Sequence, residues 1–210
     1  MDTTENTIYV FDSCAADYQE KFMEMDLYND TFDEFCNLIK PKNASILELA
    51  CGPGNITRYL LKTRPDFKIL ATDLSQNMLE LAVNNNPSAM FETLDCRNLK
   101  TLETEFDGIM CGFALPYLSK EEAIKLIKEA YEALNPEGVL YLSTMEDNYE
   151  KSGFKKSSSG KYEAYIHFHE AGYLSEALVT NGFNITHLLR KDFLQHDKTI
   201  TKDLIIIAQK

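Results

Sequence analysis

From Ser45 onward the chain alternates short apolar runs with amphipathic stretches, and this alternation restricts its fold more than any other feature. Residues 45–49, 67–72, 90–94, 107–113 and 139–143 are rich in Ile, Leu, Val, Phe or Met and have the length of strands. Between them, residues 55–62 put Ile56, Tyr59 and Leu60 on one face of a helix. The stretch after Ser75 does the same with Met78, Leu79, Leu81 and Ala82. A third helix, running to about Leu134, turns Ala123, Ile124, Ile127, Ala130 and Leu134 inward. Ser75 has the chemistry of an N-cap, and Ser119 with Glu122 three residues later forms a capping-box pattern. Strands that alternate with amphipathic helices predict right-handed βαβ units and a parallel sheet, hence an α/β fold.

The flanks are less regular. Residues 14–40 predict two helical stretches broken near Asn29 and Asp30 and ended by Pro41. Asn135-Pro136-Glu137-Gly138 matches a type I turn. Residues 146–161 are polar and rich in Ser and Gly, which predicts a mobile segment. Residues 162–168 then alternate aromatic and polar side chains, 170–181 form a helix stopped by Gly182, and 183–189 and 203–208 are the last strands.

Composition sets the remaining bounds. At 210 residues the chain has the size of one domain. A net charge of −12 with no basic run disfavours phosphate backbones and anionic bilayers, so neither nucleic acid nor a membrane is an expected partner. Cys14, Cys36, Cys51, Cys96 and Cys111 show no ligand spacing, so no metal site is expected. The polar, acidic start and the lack of a long apolar run fit a reducing, cytoplasmic setting.

In a parallel sheet of this kind, ligands bind beyond the carboxyl ends of the strands where the winding reverses. Candidate residues occur at each such end. Ile46-Leu-Glu-Leu-Ala-Cys-Gly-Pro-Gly-Asn55 is a strand followed by a small-residue loop that opens a helix. A dinucleotide fingerprint would place a glycine at 57, where Thr57 stands, and Glu48 would lie near a pyrophosphate. That acid suits a ligand carrying an ammonium and a sulfonium instead. Asp73, ending the second strand, can accept from two ribose hydroxyls or serve the following helix start. Asp95-Cys96 can accept an adenine amino group or form a surface turn. Gly112, after Cys111, gives close backbone access.

Together these residues resemble the class I S-adenosylmethionine-dependent methyltransferases of the small-molecule type. Residues 46–54 resemble the first family motif, Asp73-Leu-Ser-Gln-Asn-Met-Leu79 the second, and Leu134-Asn-Pro-Glu-Gly-Val-Leu140 the turn before strand five. The resemblance implies a Rossmann-like, doubly wound, mostly parallel seven-stranded sheet with the last strand antiparallel. It also implies an N-terminal helical lid over residues 1–40 and a cofactor domain over 41–210. S-adenosylmethionine is the implied cofactor. Glu48 and the backbone of Ala50, Cys51, Gly52, Gly54 and Asn55 would face its methionine part. Asp73 would hold the ribose, Leu74 and Met78 would pack the adenine, and Asp95 with Cys96 would bind the adenine edge. Cys111, Gly112 and Phe113 would line the strand-four side. Ala50 departs from the family pattern, which has glycine there. Phe11-Asp-Ser-Cys-Ala-Ala-Asp-Tyr18 resembles the lid, making Tyr18 either a cofactor contact or a core aromatic.

Methyl transfer to oxygen or carbon needs the acceptor's proton removed, which histidine can do near neutral pH. His167 and His169, on one face of an alternating segment, are the candidates for that base; the plainer reading has His167 packed in a strand and His169 capping the next helix. His187 and His196 read as surface residues. Phe113-Ala-Leu-Pro-Tyr117 lacks the acidic or amide residue and first proline of enzymes that methylate nucleic-acid amines. The expected acceptor is therefore a small, partly apolar molecule. The competing readings are a non-catalytic S-adenosylmethionine-binding regulator and a protein-directed methyltransferase; Thr57 and Glu48 argue against a dinucleotide oxidoreductase.

Overall fold

The protein is described by a computed structural model covering residues 3–157, 160–195 and 198–210; His196 lies outside these. The elements run α1 (Thr3–Ser13), α2 (Ala15–Phe22), α3 (Asn29–Leu38), β1 (Ser45–Leu49), α4 (Asn55–Thr63), β2 (Lys68–Asp73), α5 (Gln76–Asn85) and β3 (Met90–Thr93). They continue with β4 (Phe106–Cys111), α6 (Lys120–Ala133), β5 (Leu134–Glu146), β6 (Gly153–Lys156), β7 (Glu163–Ile166), α7 (Ala171–Thr180), β8 (Asn184–Leu194) and β9 (Ile200–Gln209).

The main sheet has seven strands in the order β3-β2-β1-β4-β5-β9-β8. Pairings from β3 through β5 are parallel, while β9 runs antiparallel to both β5 and β8. The winding reverses between β1 and β4, so the crevice beyond Leu49 and Cys111 is the place for a ligand.

Alternation along each central strand splits its side chains between two apolar layers. Leu47, Leu49, Ile109, Leu140 and Leu142 pack with Ala123, Leu126, Ile127, Leu174 and Leu178 of α6 and α7. Ile46, Ile69, Met110, Val139 and Tyr141 pack with Phe32, Phe35, Ile56, Leu60 and Leu79 of α3, α4 and α5. Covered on both faces, these strands are apolar throughout, which is why they read as continuous runs.

Both caps form. Ser75 Oγ accepts from Met78 N, and Ser119 and Glu122 exchange side-chain-to-backbone bonds at the start of α6.

The structure differs from the sequence reading at several points. A helix over residues 3–13 precedes the predicted ones, and the break before α3 lies at residues 23–28. In α6, Ile124 faces solvent and Leu126 is buried, because Ala123, Leu126, Ile127 and Ala130 make the inward stripe. Glu137 has φ +64°, which excludes a type I turn and matches the third position of type II. Much of the segment expected to be mobile is ordered. Residues 149–151 form a 3-10 turn, and β6 pairs with β7 as an antiparallel hairpin held by a Phe154–Tyr165 edge contact at 5.3 Å. Ser158 and Ser159 lie outside the described residues. His187 is half-buried beside Glu34 at 3.6 Å.

Among the described residues no helix is long and apolar enough to cross a membrane, and no group of three or more metal-ligating side chains stands together.

Replacing Ser119 by Ala removes the acceptor for Glu122 N and is expected to cost about 0.5–2 kcal/mol of unfolding free energy. Ser119→Asp should retain most of it; denaturant titration checks both.

Candidate functional site

Beyond β1 the chain turns sharply through residues 50–54, with Ala50, Gly52 and Gly54 all at positive φ (51°, 55° and 80°). Cys51 N donates to Thr72 O at 2.9 Å, and Gly54 N donates to Cys51 O at 3.0 Å. A Cβ at Gly54 would lie 2.3 Å from Asn86 Nδ2, so only glycine fits there. Ala50 takes the same left-handed conformation with a Cβ, at a cost of roughly 1–2 kcal/mol.

Asp73, at the end of β2, ties this loop to the next helix. Its Oδ2 accepts from Gly52 N at 2.8 Å and its Oδ1 from Ser75 N at 2.9 Å. Each oxygen keeps lone-pair capacity, and the side chain lines a cavity of about 840 Å³, counted to its open mouth. Burial pushes the Asp73 carboxyl above its usual range, and the backbone N–H groups oppose that shift.

Ten of the residues expected at the site line this cavity. Ala50 and Gly52 form its floor with Asp73, and Leu74 and Met78 stand on the α5 side. Asp95 and Cys96 follow β3, and Gly112 and Phe113 follow β4. Tyr18 closes it from above: a Cβ at Gly52 would stand 3.6 Å from Tyr18 Cε1. Tyr18 also packs on Phe22 and Phe11, at 4.4 and 5.8 Å, so it is both a cavity wall and part of an aromatic cluster. Gly112 is required for packing as well, since a Cβ there would lie 2.4 Å from Ile56 Cδ1.

Glu48, Cys51, Gly54, Asn55 and Cys111 are not on the cavity wall. Cys51 and Cys111 are buried behind it, Gly54 caps α4 and Asn55 begins it. Glu48 is fully buried, with Oε2 accepting from Thr57 Oγ1 at 2.6 Å and Oε1 unpartnered. Burial raises its pKa to about 8, against the opposing Thr57 bonds. Glu48 is therefore neutral near pH 7, and the negative charge facing the cavity comes from Asp73 rather than from a pair of acids. Thr57, at the position where a dinucleotide loop would have glycine, is Glu48's partner.

The two histidines separate. His169 is wholly buried, with Nε2 bonded to Leu115 O at 2.7 Å and Nδ1 to the Tyr173 hydroxyl. Burial pushes its pKa down to about 4. It neither reaches the cavity nor caps α7, whose N-cap Glu170 has no side-chain bond; both of its nitrogens are engaged within the fold. His167 lies just past β7 and lines a second, polar chamber with Arg97, Ser119, Glu122 and Tyr165.

Thr4, Thr7 and Ile8 of α1 and Leu118 after β4 are wall residues that were not anticipated; Phe11, from the element that resembles the lid, and Tyr117, from the turn after β4, line the wall as well. Arg97 chelates Asp95, with Nη2 to Oδ2 at 2.6 Å and Nε to Oδ1 at 2.9 Å, and reaches Thr4 Oγ1 at 2.8 Å. Burial alone would raise the Asp95 pKa, but the Arg97 bonds outweigh it and the net shift is down. The cover is latched by Asp12, which accepts from Ser75 Oγ, Asn77 N and Asn77 Nδ2 at 2.9, 2.9 and 3.1 Å. Its carboxylate sits at the N-terminus of α5, where the helix dipole favours it. An acid one turn from a helix end in space, but more than sixty residues away in sequence, gives no local signal.

Fold and site together define a Rossmann-like protein with a cavity at the winding switch of its sheet. The protein-family description "Methyltransferase domain" matches residues 46–138. The chain is 36% identical over 111 residues to trans-aconitate 2-methyltransferase of Variovorax paradoxus, an alignment covering 53% of this chain and 42% of that one. It is 31% identical over 110 residues to a carboxy-S-adenosyl-L-methionine synthase of Campylobacter jejuni, covering 50% and 46%. It thus spans less than half the length of these two relatives. Magnesium protoporphyrin IX methyltransferase of Synechocystis, solved with bound S-adenosylmethionine, shares the fold at a TM-score of 0.72 and 15% identity, over 99% of this chain and 97% of that one. Residues 46–138 carry a methyltransferase domain.

A carboxyl whose pKa is higher folded than unfolded stabilises the fold at low pH and loses that contribution as pH rises. For Glu48 the loss runs from about pH 4.5, its unfolded value, through about 8. The wild type should thus be less stable at pH 8 than at pH 5. Glu48→Gln, which keeps an acceptor for Thr57, should flatten that difference in denaturant titrations.

Proposed function

We propose that the protein is an S-adenosylmethionine-dependent methyltransferase acting on a small-molecule acceptor. The observation that carries this is Asp73: a part-buried carboxylate held by two backbone N–H groups, with lone pairs left over, on the wall of a cavity at the winding switch. The cofactor, when bound, supplies a methyl group already activated on a sulfonium.

The residues fit that group. Asp73 would accept from the ribose hydroxyls, and Leu74 and Met78 give the apolar surface an adenine needs. Asp95 and Cys96 bound the adenine end, although Arg97 already takes up both Asp95 oxygens and the amino group would have to share them. Gly52 exposes backbone on the methionine side, and Tyr18 and Phe113 close that end. Because the donor is activated, the protein's tasks are alignment and exclusion of water. Helices α1 and α2 serve as the lid, with Phe11 and Tyr18 over the cavity and Asp12 as the latch.

The small-molecule reading is supported by the cover itself. Asn6 Nδ2 donates to Glu163 O at 2.8 Å, so α1 and the β6–β7 hairpin close over the site together. The named relatives also act on small molecules. His169, with both nitrogens bonded, offers no base to an acceptor.

Asp73→Ala should weaken adenosylhomocysteine binding by about 1.5–3 kcal/mol in calorimetry, through lost charge-assisted hydrogen bonds; unchanged affinity would remove the ribose role. Asp12→Ala should speed adenosylhomocysteine release about tenfold or more in stopped flow. Equal release rates would show that α1 does not act as a lid.

A further inference from the structure

Past β4 the crevice has a polar layer behind the cavity wall rather than on it. The strand ends that carry Asp73, the Ala50–Gly54 loop and Phe113 stand in a row, and β5 and β9 continue that row. On β9, Asp203 lies opposite Met145, near the carboxyl end of β5, which places it at the ligand end of the sheet. It is buried, and its Oδ2 accepts from the Tyr28 hydroxyl at 2.6 Å. Among the described residues Asp203 has no ion pair. Lys191, its neighbour on β8, is bonded to Asp30 at 2.6 Å, and Lys202 to Asp192 at 3.1 Å.

A buried carboxylate with one neutral donor is a poor device for stability, since two apolar side chains would pack there without hiding a charge. Burial raises the Asp203 carboxyl to about 6, with the Tyr28 bond opposing. Near pH 7 it is therefore ionised, and its bond to Tyr28 is charge-assisted. What that bond supplies is placement, because it ties the far end of the Tyr28 ring to β9. The Tyr28 ring packs on Phe113 at 5.1 Å with a tilt of 58°. Phe113 is the cavity wall at the methionine end and has a left-handed backbone, φ +57°, with its N donating to Ser143 Oγ at 3.0 Å. A bulky residue in that conformation persists only where its surroundings hold it. Here Ser143 holds the backbone and Tyr28 the ring.

We propose that Asp203 is a positioning residue: through Tyr28 it holds the Phe113 ring against the sulfonium of the bound cofactor. The inference rests on the methyltransferase reading and adds to it a means of telling the methyl donor from its product. An aromatic face attracts a cation within about 6 Å of it. S-adenosylmethionine carries that charge on sulfur, and adenosylhomocysteine, a neutral thioether, does not. A held ring therefore favours the donor, and a loosened ring loses that bias.

Calorimetry on the whole protein with S-adenosylmethionine and adenosylhomocysteine tests this, read as the ratio of the two affinities. Tyr28→Phe, which keeps the ring and drops the bond, should shift that ratio against S-adenosylmethionine about threefold or more, and so should Asp203→Ala. Adenosylhomocysteine affinity should stay as in the wild type. Asp203→Asn, which keeps an acceptor for Tyr28 without the charge, should retain most of the wild-type ratio. In a Phe113→Leu background, Tyr28→Phe should move the ratio no further. If the single variants do not fold, Tyr28→Phe combined with Asp203→Asn leaves no buried charge and should show the same shift. An unchanged ratio, or equal losses for both ligands, overturns the proposal. So does Asp203→Asn behaving as Asp203→Ala, which would make the charge itself the cause, or a further shift in the Phe113→Leu background. If the wild type binds neither ligand, the methyltransferase reading beneath it fails instead.

Discussion

The site is organised around one carboxylate. Asp73 receives N–H groups from the loop after β1 and from the start of α5, and so ties the two segments together. Without it, the left-handed turn through Ala50, Gly52 and Gly54 would have nothing holding Gly52 N toward the crevice. The same oxygens that pin the backbone have lone pairs for a ligand, so scaffold and binding site are one object. Burial makes the charged form costly, and the directed N–H groups recover part of that cost.

A second layer of organisation is the cover. Helix α1 is held by its ends and middle: Thr4 to Arg97, Asn6 to the backbone of β7, and Asp12 to the start of α5. Each contact joins α1 to a different part of the crevice wall. Arg97 is the hinge of this arrangement, since it touches the cover, the Asp95 end of the cavity and the polar chamber at once.

Where a charge sits in the fold decides its role more than its place in a motif does. Glu48 lies one residue before the end of β1 and Asp73 ends β2, and in the sequence they look like an equivalent pair. Glu48 lies behind the wall, bonded to Thr57 and neutral near pH 7, whereas Asp73 faces the cavity. His167 and His169 are likewise two residues apart on an alternating segment. One is sealed between Leu115 O and the Tyr173 hydroxyl, and the other opens on the chamber.

Local pattern alone determined the elements and the ends at which the ligand belongs. The apolar runs, the Ser75 and Ser119 caps and the small-residue loop after Leu49 all act through neighbours within four or five residues, and such neighbours are visible in the chain. Most of the cavity wall, from Ala50 through Phe113, was readable for the same reason: it hangs on strand ends. The bounds of helix α1, the Asp12 contacts with the start of α5, the Arg97 bonds and the β6–β7 hairpin were decided only by tertiary structure. Their partners lie far along the chain, and the polar segments involved gain order from those partners rather than from their own periodicity.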